Sequence, residues 1–181
     1  MLLAAFPAAL SKDVEAVSAT LAGAGRAETS GSLVPLRLGG EAIVIPYRVY
    51  FAPPSRLDEA EVPSTRALIR ACVFTRHHQG HVRQANVGQL LRATAPWVVP
   101  YVVQLLGEYV VEIAEAISLH ARVLETPPYK TFASDNAEYI ARTTDRAISY
   151  WNIGYRDRFP DMETYPALRM LRALTPRLRA I

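Results

Sequence analysis

A chain of 181 residues, half of them hydrophobic and with a formal charge of +3, can bury a sizeable core and is too apolar to be globally disordered. Of its 20 basic residues 18 are arginine, set against 17 acidic ones, so the pI of 9.2 reflects a modest excess more simply read as codon bias than as a phosphate-binding surface. Cys72 is the only cysteine, which excludes an intramolecular disulfide, fits a reducing compartment such as the cytoplasm, and reads, within ACVF, as a buried core thiol.

The N-terminal MLLAAFPAAL is apolar but has no basic n-region and runs straight into SKDVE, so it does not read as a signal peptide. Residues 11–24 predict a first helix with Val14, Val17 and Leu21 on one face, followed by the Gly/Ser-rich loop 23–32. Residues 33–51 hold two β-prone runs joined by Gly39-Gly40, a β-hairpin pattern, and Pro35 and Pro46 mark its strands as edges. Two strands are marginal alone, so the hairpin is expected to lean on helices or to offer its edge to another chain.

After a linker at 52–63 the pattern is helical. Ser64 is placed to cap a helix with Leu68, Ile69, Cys72 and Val73 inward. HHQG turns the chain, and a third helix over 81–93 uses Val82, Ala85 and Leu90. GHVRQANVGQLL, with the helix after it, resembles one unit of a HEAT-type helical repeat. No second copy is present, and such arrays need several units, so that family is not adopted.

Residues 97–123 predict one long buried helix, with Gln104, Glu108, Glu112 and Glu115 as a narrow polar stripe in an otherwise apolar circumference. Within it, the apolar run 97–117 has roughly the length of a membrane span, but three glutamates in its second half argue against insertion. Thr126-Pro127-Pro128 ends it. Ser134 or Asp135 then caps a helical region reaching Phe159, with Thr143-Thr144 a possible division, and Thr164 caps a last helix before the basic tail 176–181. The predicted architecture is a mainly α single domain over 1–181, a bundle of about six helices around the central 97–123 helix with one N-terminal hairpin.

Four clusters could carry function. His77 and His81 are one helical turn apart, with His78 between, a spacing that can share a metal. The HExxH glutamate is missing and Gly80 interrupts the helix, so no metal site is expected. Glu108, Glu112 and Glu115 are crowded carboxylates, and a buried network with Arg142 and Arg146, aided by Arg83 and Arg156, is the simplest way to hold them. A Glu-x-x-His di-metal pattern is absent. The segment 146–159 interleaves aromatic and arginine residues. Core packing is the common explanation, and Arg146, Tyr150, Trp151, Tyr155 and Arg156 are the candidate binding residues. Arg169, Arg172, Arg177 and Arg179 make the C-terminal region locally basic, at a density that helix-end electrostatics can explain.

No phosphate loop, GxSxG elbow, dinucleotide fingerprint or other cofactor motif occurs. The function expected from these features is a non-catalytic cytoplasmic protein-interaction or scaffold domain, acting through a protein partner or self-association. Nucleic-acid binding by the Arg-rich helices is the first alternative. A metal-dependent enzyme joining the histidines to the central glutamates is the second.

Overall fold

The structure is a computed structural model that describes residues 2–23, 28–29, 32–52 and 64–175. Most of the loop expected over 23–32, the linker from 53 to 63 and the tail 176–181 lie outside the described residues. The fold is mainly α with a two-stranded hairpin near the N-terminus, and the chain divides into two compact units, Met1–Val98 and Val99–Ile181.

In the first unit, 3-10 turns at Leu2–Ala5 and Ala8–Leu10 lead into α1, Ser11–Gly23, which buries Val14, Val17 and Leu21. β1 (Glu28–Thr29) pairs antiparallel with β4 (Val49–Tyr50), a pairing of strands too short to leave a period-two signal. Between them β2 (Leu33–Leu38) and β3 (Glu41–Pro46) form the hairpin, in a register closed by Leu38 opposite Glu41. Gly39 and Gly40 have φ of 58° and 87°, the paired positive angles of a type I′ turn, whose twist matches that of the flanking strands. One face of the hairpin buries Leu36, Ile43 and Ile45, with β3 against the Leu2–Ala5 turn.

α2, Thr65–Phe74, begins where Ser64 Oγ accepts the Ala67 N–H at 3.2 Å, and it buries Leu68, Ile69, Cys72 and Val73. It packs on α1 and on α3, Gly80–Arg92. In α3 the inward positions are Val82, Asn86, Val87 and Leu90, and Ala85 faces solvent. The unit closes with a 3-10 turn at Pro96–Val98, where Trp97 meets Phe6 edge-on at 6.0 Å.

The second unit corrects the expectation of one helix over 97–123. That stretch is α4 (Val99–Leu105), α5 (Val111–Ser118) and α6 (Ala121–Leu124). After Leu105 the backbone tightens, and the N–H groups of Leu106, Gly107 and Glu108 bond to carbonyls three residues back at 3.1, 3.2 and 3.2 Å. Val110 then turns extended and starts α5. At the break another helix comes close to the backbone: a Cβ on Gly107 would lie 3.0 Å from Thr143 Cγ2, so a side chain there would force Thr143 to shift. Val102, Val103, Leu106 and Ile113 are inaccessible as expected, whereas Val110, in the break, is partly exposed.

Pro127 stops α6 and also opens α7, Pro127–Asp135, so Ser134 and Asp135 end a helix where they were expected to cap one. α8, Ala137–Tyr150, runs unbroken through Thr143 and Thr144, whose hydroxyls donate to Tyr139 O at 2.8 Å and Ile140 O at 2.9 Å. It continues into a π-helical turn, Trp151–Tyr155. Asp161 caps a 3-10 turn at Met162–Thr164 by accepting the Glu163 N–H at 2.9 Å. Tyr165, one residue later than expected, precedes α9, Pro166–Leu174, whose Leu168, Leu171 and Leu174 pack into a core with α5, α6 and α8. No helix among the described residues is long and apolar enough to cross a membrane.

Candidate interaction surface

The aromatic segment after α8 is the most distinctive feature of the second unit. A π turn widens the helix by one residue per turn and is rare, because its hydrogen-bond geometry is poorer than that of the α-helix. Where one persists it is commonly tied to function. Here the turn is held on three sides. Trp151 Nε1–H donates to Phe159 O at 2.8 Å. Tyr155 O–H donates to Tyr109 O at 2.5 Å, reaching the break between α4 and α5. Arg158 pairs with Glu115 of α5 at 2.6 Å. Tyr165 stacks beneath Tyr155 at 5.7 Å and meets Phe159 edge-on at 5.6 Å. Burial, aided by the neighbouring Tyr155 and Tyr150, pushes the Tyr165 phenol up to about 12, so it stays neutral and serves as a floor.

On this floor stands an exposed layer. Ile153 is 81 % exposed at the apex of the turn, and Tyr109, in T-shaped contact with Tyr150 at 6.3 Å, is 50 % exposed. The Arg156 guanidinium lies 4.9 Å from the Trp151 ring centroid, and that of Arg158 lies 5.3 Å from Phe159. Of the residues expected from sequence, Tyr150, Trp151, Tyr155 and Arg156 are gathered here, and Arg146 is exposed on α8. Arg158 is one of the arginines interleaved in 146–159, whereas Tyr109 and Ile153 lie outside the sequence expectation. The signal that points to Tyr109 is the Gly107-Glu108 pair directly before it, which interrupts the apolar run.

The carboxylate stripe is not one network. Gln104 and Glu108 are buried, Glu112 is exposed and Glu115 is half-buried against Arg158, because the break at 106–110 destroys the common helical phase. Arg142 is exposed and spans one turn of its own helix to Glu138 at 2.6 Å. Of the expected buried network of Glu108, Glu112, Glu115, Arg142 and Arg146, Glu112 and Arg142 are exposed instead of buried, Glu115 pairs with Arg158, and Arg142 pairs with Glu138. Of the basic C-terminal residues, Arg169 is exposed, Arg172 pairs with Glu163, and Arg177 and Arg179 lie outside the described residues.

The histidine cluster, in the first unit, is a structural joint. His77 is buried. Its Nδ1 accepts the Gln79 N–H at 3.1 Å and its Nε2 reaches Phe51 O at 2.9 Å, so both ring nitrogens are engaged. Around it, Val49 N–H donates to Arg76 O at 2.9 Å and His78 N–H to Val49 O at 3.1 Å, stitching β4 to the α2–α3 turn. His78 stacks on Tyr50 at 4.9 Å. Buried Arg83 donates from Nη1 to the carbonyls of His77 and His78 at 2.8 and 3.0 Å. Burial lowers the His77 pKa, with His78, His81 and Arg83 adding repulsion and the Phe51 carbonyl opposing. Among the described residues no three His, Cys, Asp or Glu side chains gather closely enough to hold a metal ion. Cys72 is fully buried and its thiol is raised well above the usual range by desolvation, the opposite of an activated nucleophile.

Comparison with known proteins adds no relative: no family model, curated protein or solved structure matches the chain.

Proposed function

We propose that the chain is a non-catalytic protein-interaction module whose contact surface is the aromatic–arginine face around residues 151–155. The observation that carries this reading is Ile153, a large aliphatic side chain left 81 % exposed in a π turn whose two ends, Trp151 and Tyr155, are held. Exposed apolar groups ringed by Tyr, Trp and Arg have the composition of an interface hot spot. A surface already fixed by the Trp151, Tyr155 and Arg158 contacts has little conformational entropy left to lose on binding, which favours affinity from a small area.

A nucleic-acid surface of the same composition would need free aromatic faces for bases. Arg156 lies over the Trp151 ring, and Ile153 offers neither charge nor a stacking plane, which favours a protein partner. The lone buried Cys72 supports a reducing location such as the cytoplasm. The test is affinity capture from cell extract with the wild-type chain and with Ile153→Asp, each verified as folded by circular dichroism. A charge at the centre of an apolar hot spot is expected to cut recovery of a specific protein by roughly tenfold or more. Equal recovery with both chains, or binding only to RNA or DNA with a steep salt dependence, would refute the proposal.

A further inference from the structure

We infer that a second copy of this chain docks on a groove of the second unit, separate from the aromatic face. The groove encloses about 520 Å³ between α6, α8, the 162–164 turn and α9. Its apolar floor is made by Ile148, Met162, Leu168 and Leu171, and Ile148 is 37 % exposed although it belongs to a well-packed helix.

The rim identifies the occupant. Glu163 and Arg172 pair with each other. Glu125, which follows α6, and Arg169, on α9, line the same groove, and neither has an ion partner among the described residues. In a two-fold contact the same patch meets itself, so each residue on one side needs its complement on the same surface. One uncompensated carboxylate and one uncompensated guanidinium on different walls meet that condition: Glu125 of each copy faces Arg169 of the other. Leu119, 84 % exposed in the α5–α6 turn and two residues before Ala121 on the groove wall, supplies an apolar knob for the facing floor. A different protein would need to complement these charges but would give no reason for both signs to stand on one patch. Self-association explains both.

The test is sedimentation equilibrium of the full chain. The wild type should approach twice 20.0 kDa as concentration rises. Arg169→Glu and Glu125→Arg each place like charges opposite one another twice per dimer, and each should weaken dimerisation at least ~tenfold. The double variant Arg169→Glu/Glu125→Arg should restore it. Both positions are exposed, so folding is not at stake. Leu119→Asp is a second, independent probe expected to give monomer, and Ile153→Asp should leave the dimer intact, which separates this contact from the aromatic face. A chain that stays monomeric up to roughly 100 μM, far above a micromolar affinity, would overturn the inference. A dimer indifferent to the single reversals would also overturn it and point to the hairpin edge, as would a double reversal that fails to restore association.

Discussion

Replacing Gly107 by alanine tests the close approach at the break in the apolar stretch. The new methyl would sit 3.0 Å from Thr143 Cγ2 and 3.7 Å from the Gln104 carbonyl oxygen. Carbon atoms are comfortable at about 3.5–4.0 Å, so roughly half an ångström must be found. Thr143 cannot swing away cheaply, since it is buried and its hydroxyl donates to Tyr139 O at 2.8 Å. Overpacking of this kind costs about 1–3 kcal/mol, against a gain of about 0.4–1 kcal/mol from a stiffer unfolded chain. The net expectation is a loss of about 1–2 kcal/mol. Thr143→Ser removes the clashing methyl and keeps the hydroxyl, at about 1 kcal/mol when made alone. In the Gly107→Ala background that vacated space takes the new methyl, so the two changes should couple favourably by about 1 kcal/mol. Urea unfolding followed by Trp151 fluorescence, with Trp97→Phe making Trp151 the single reporter, measures the cycle in the unit concerned. A Gly107→Ala chain as stable as its parent, or single effects that add within about 0.3 kcal/mol, would refute the close approach at the break.

The buried His77 sets an acid limit on the first unit. Its folded pKa lies below the value of 6.5 it has when unfolded, so the unfolded chain binds more protons between the two values. The stabilisation is complete above 6.5 and is lost as pH falls through the folded value, so the urea midpoint should drop from pH 7 to pH 5 and His77→Gln should flatten that dependence. At the hairpin turn, Gly40→Ala meets no atom within 4 Å but must hold φ at 87°, so it should cost about 1 kcal/mol through the backbone alone in thermal unfolding. Gly39→Asn, at a left-handed φ of 58° that asparagine tolerates, should cost less than half as much.

Local chemistry made part of this fold legible. Gly39-Gly40, the Ser64 cap and the inward faces of α1 and α2 are properties of a few adjacent residues, and each formed as those residues dictate. The break at 106–110 was hidden for the opposite reason. A Val-rich apolar run reads as one helix in any local window, and only Thr143, far along the chain, shows that Gly107 is a crossing point. The same mistake of phase produced the expected Glu108–Glu112–Glu115 stripe, which required an unbroken helix. The Trp151–Tyr155 segment was recognisable by composition, but its π geometry and the exposure of Ile153 depend on Tyr109, Phe159 and Glu115 holding it from outside. The engagement of His77 was likewise invisible, because its partner Phe51 lies across a sequence gap that no spacing rule spans.

An interaction module built on this face requires that Ile153 meet a protein. Site-specific incorporation of a photo-crosslinking phenylalanine analogue at position 153, with Glu138 as an exposed control on the same helical run, tests it most directly in living cells. A discrete protein adduct is expected at 153, absent at 138 and suppressed by Trp151→Ala in the same chain. No adduct at 153, the same adducts at both positions, or adducts with nucleic acid alone would contradict it.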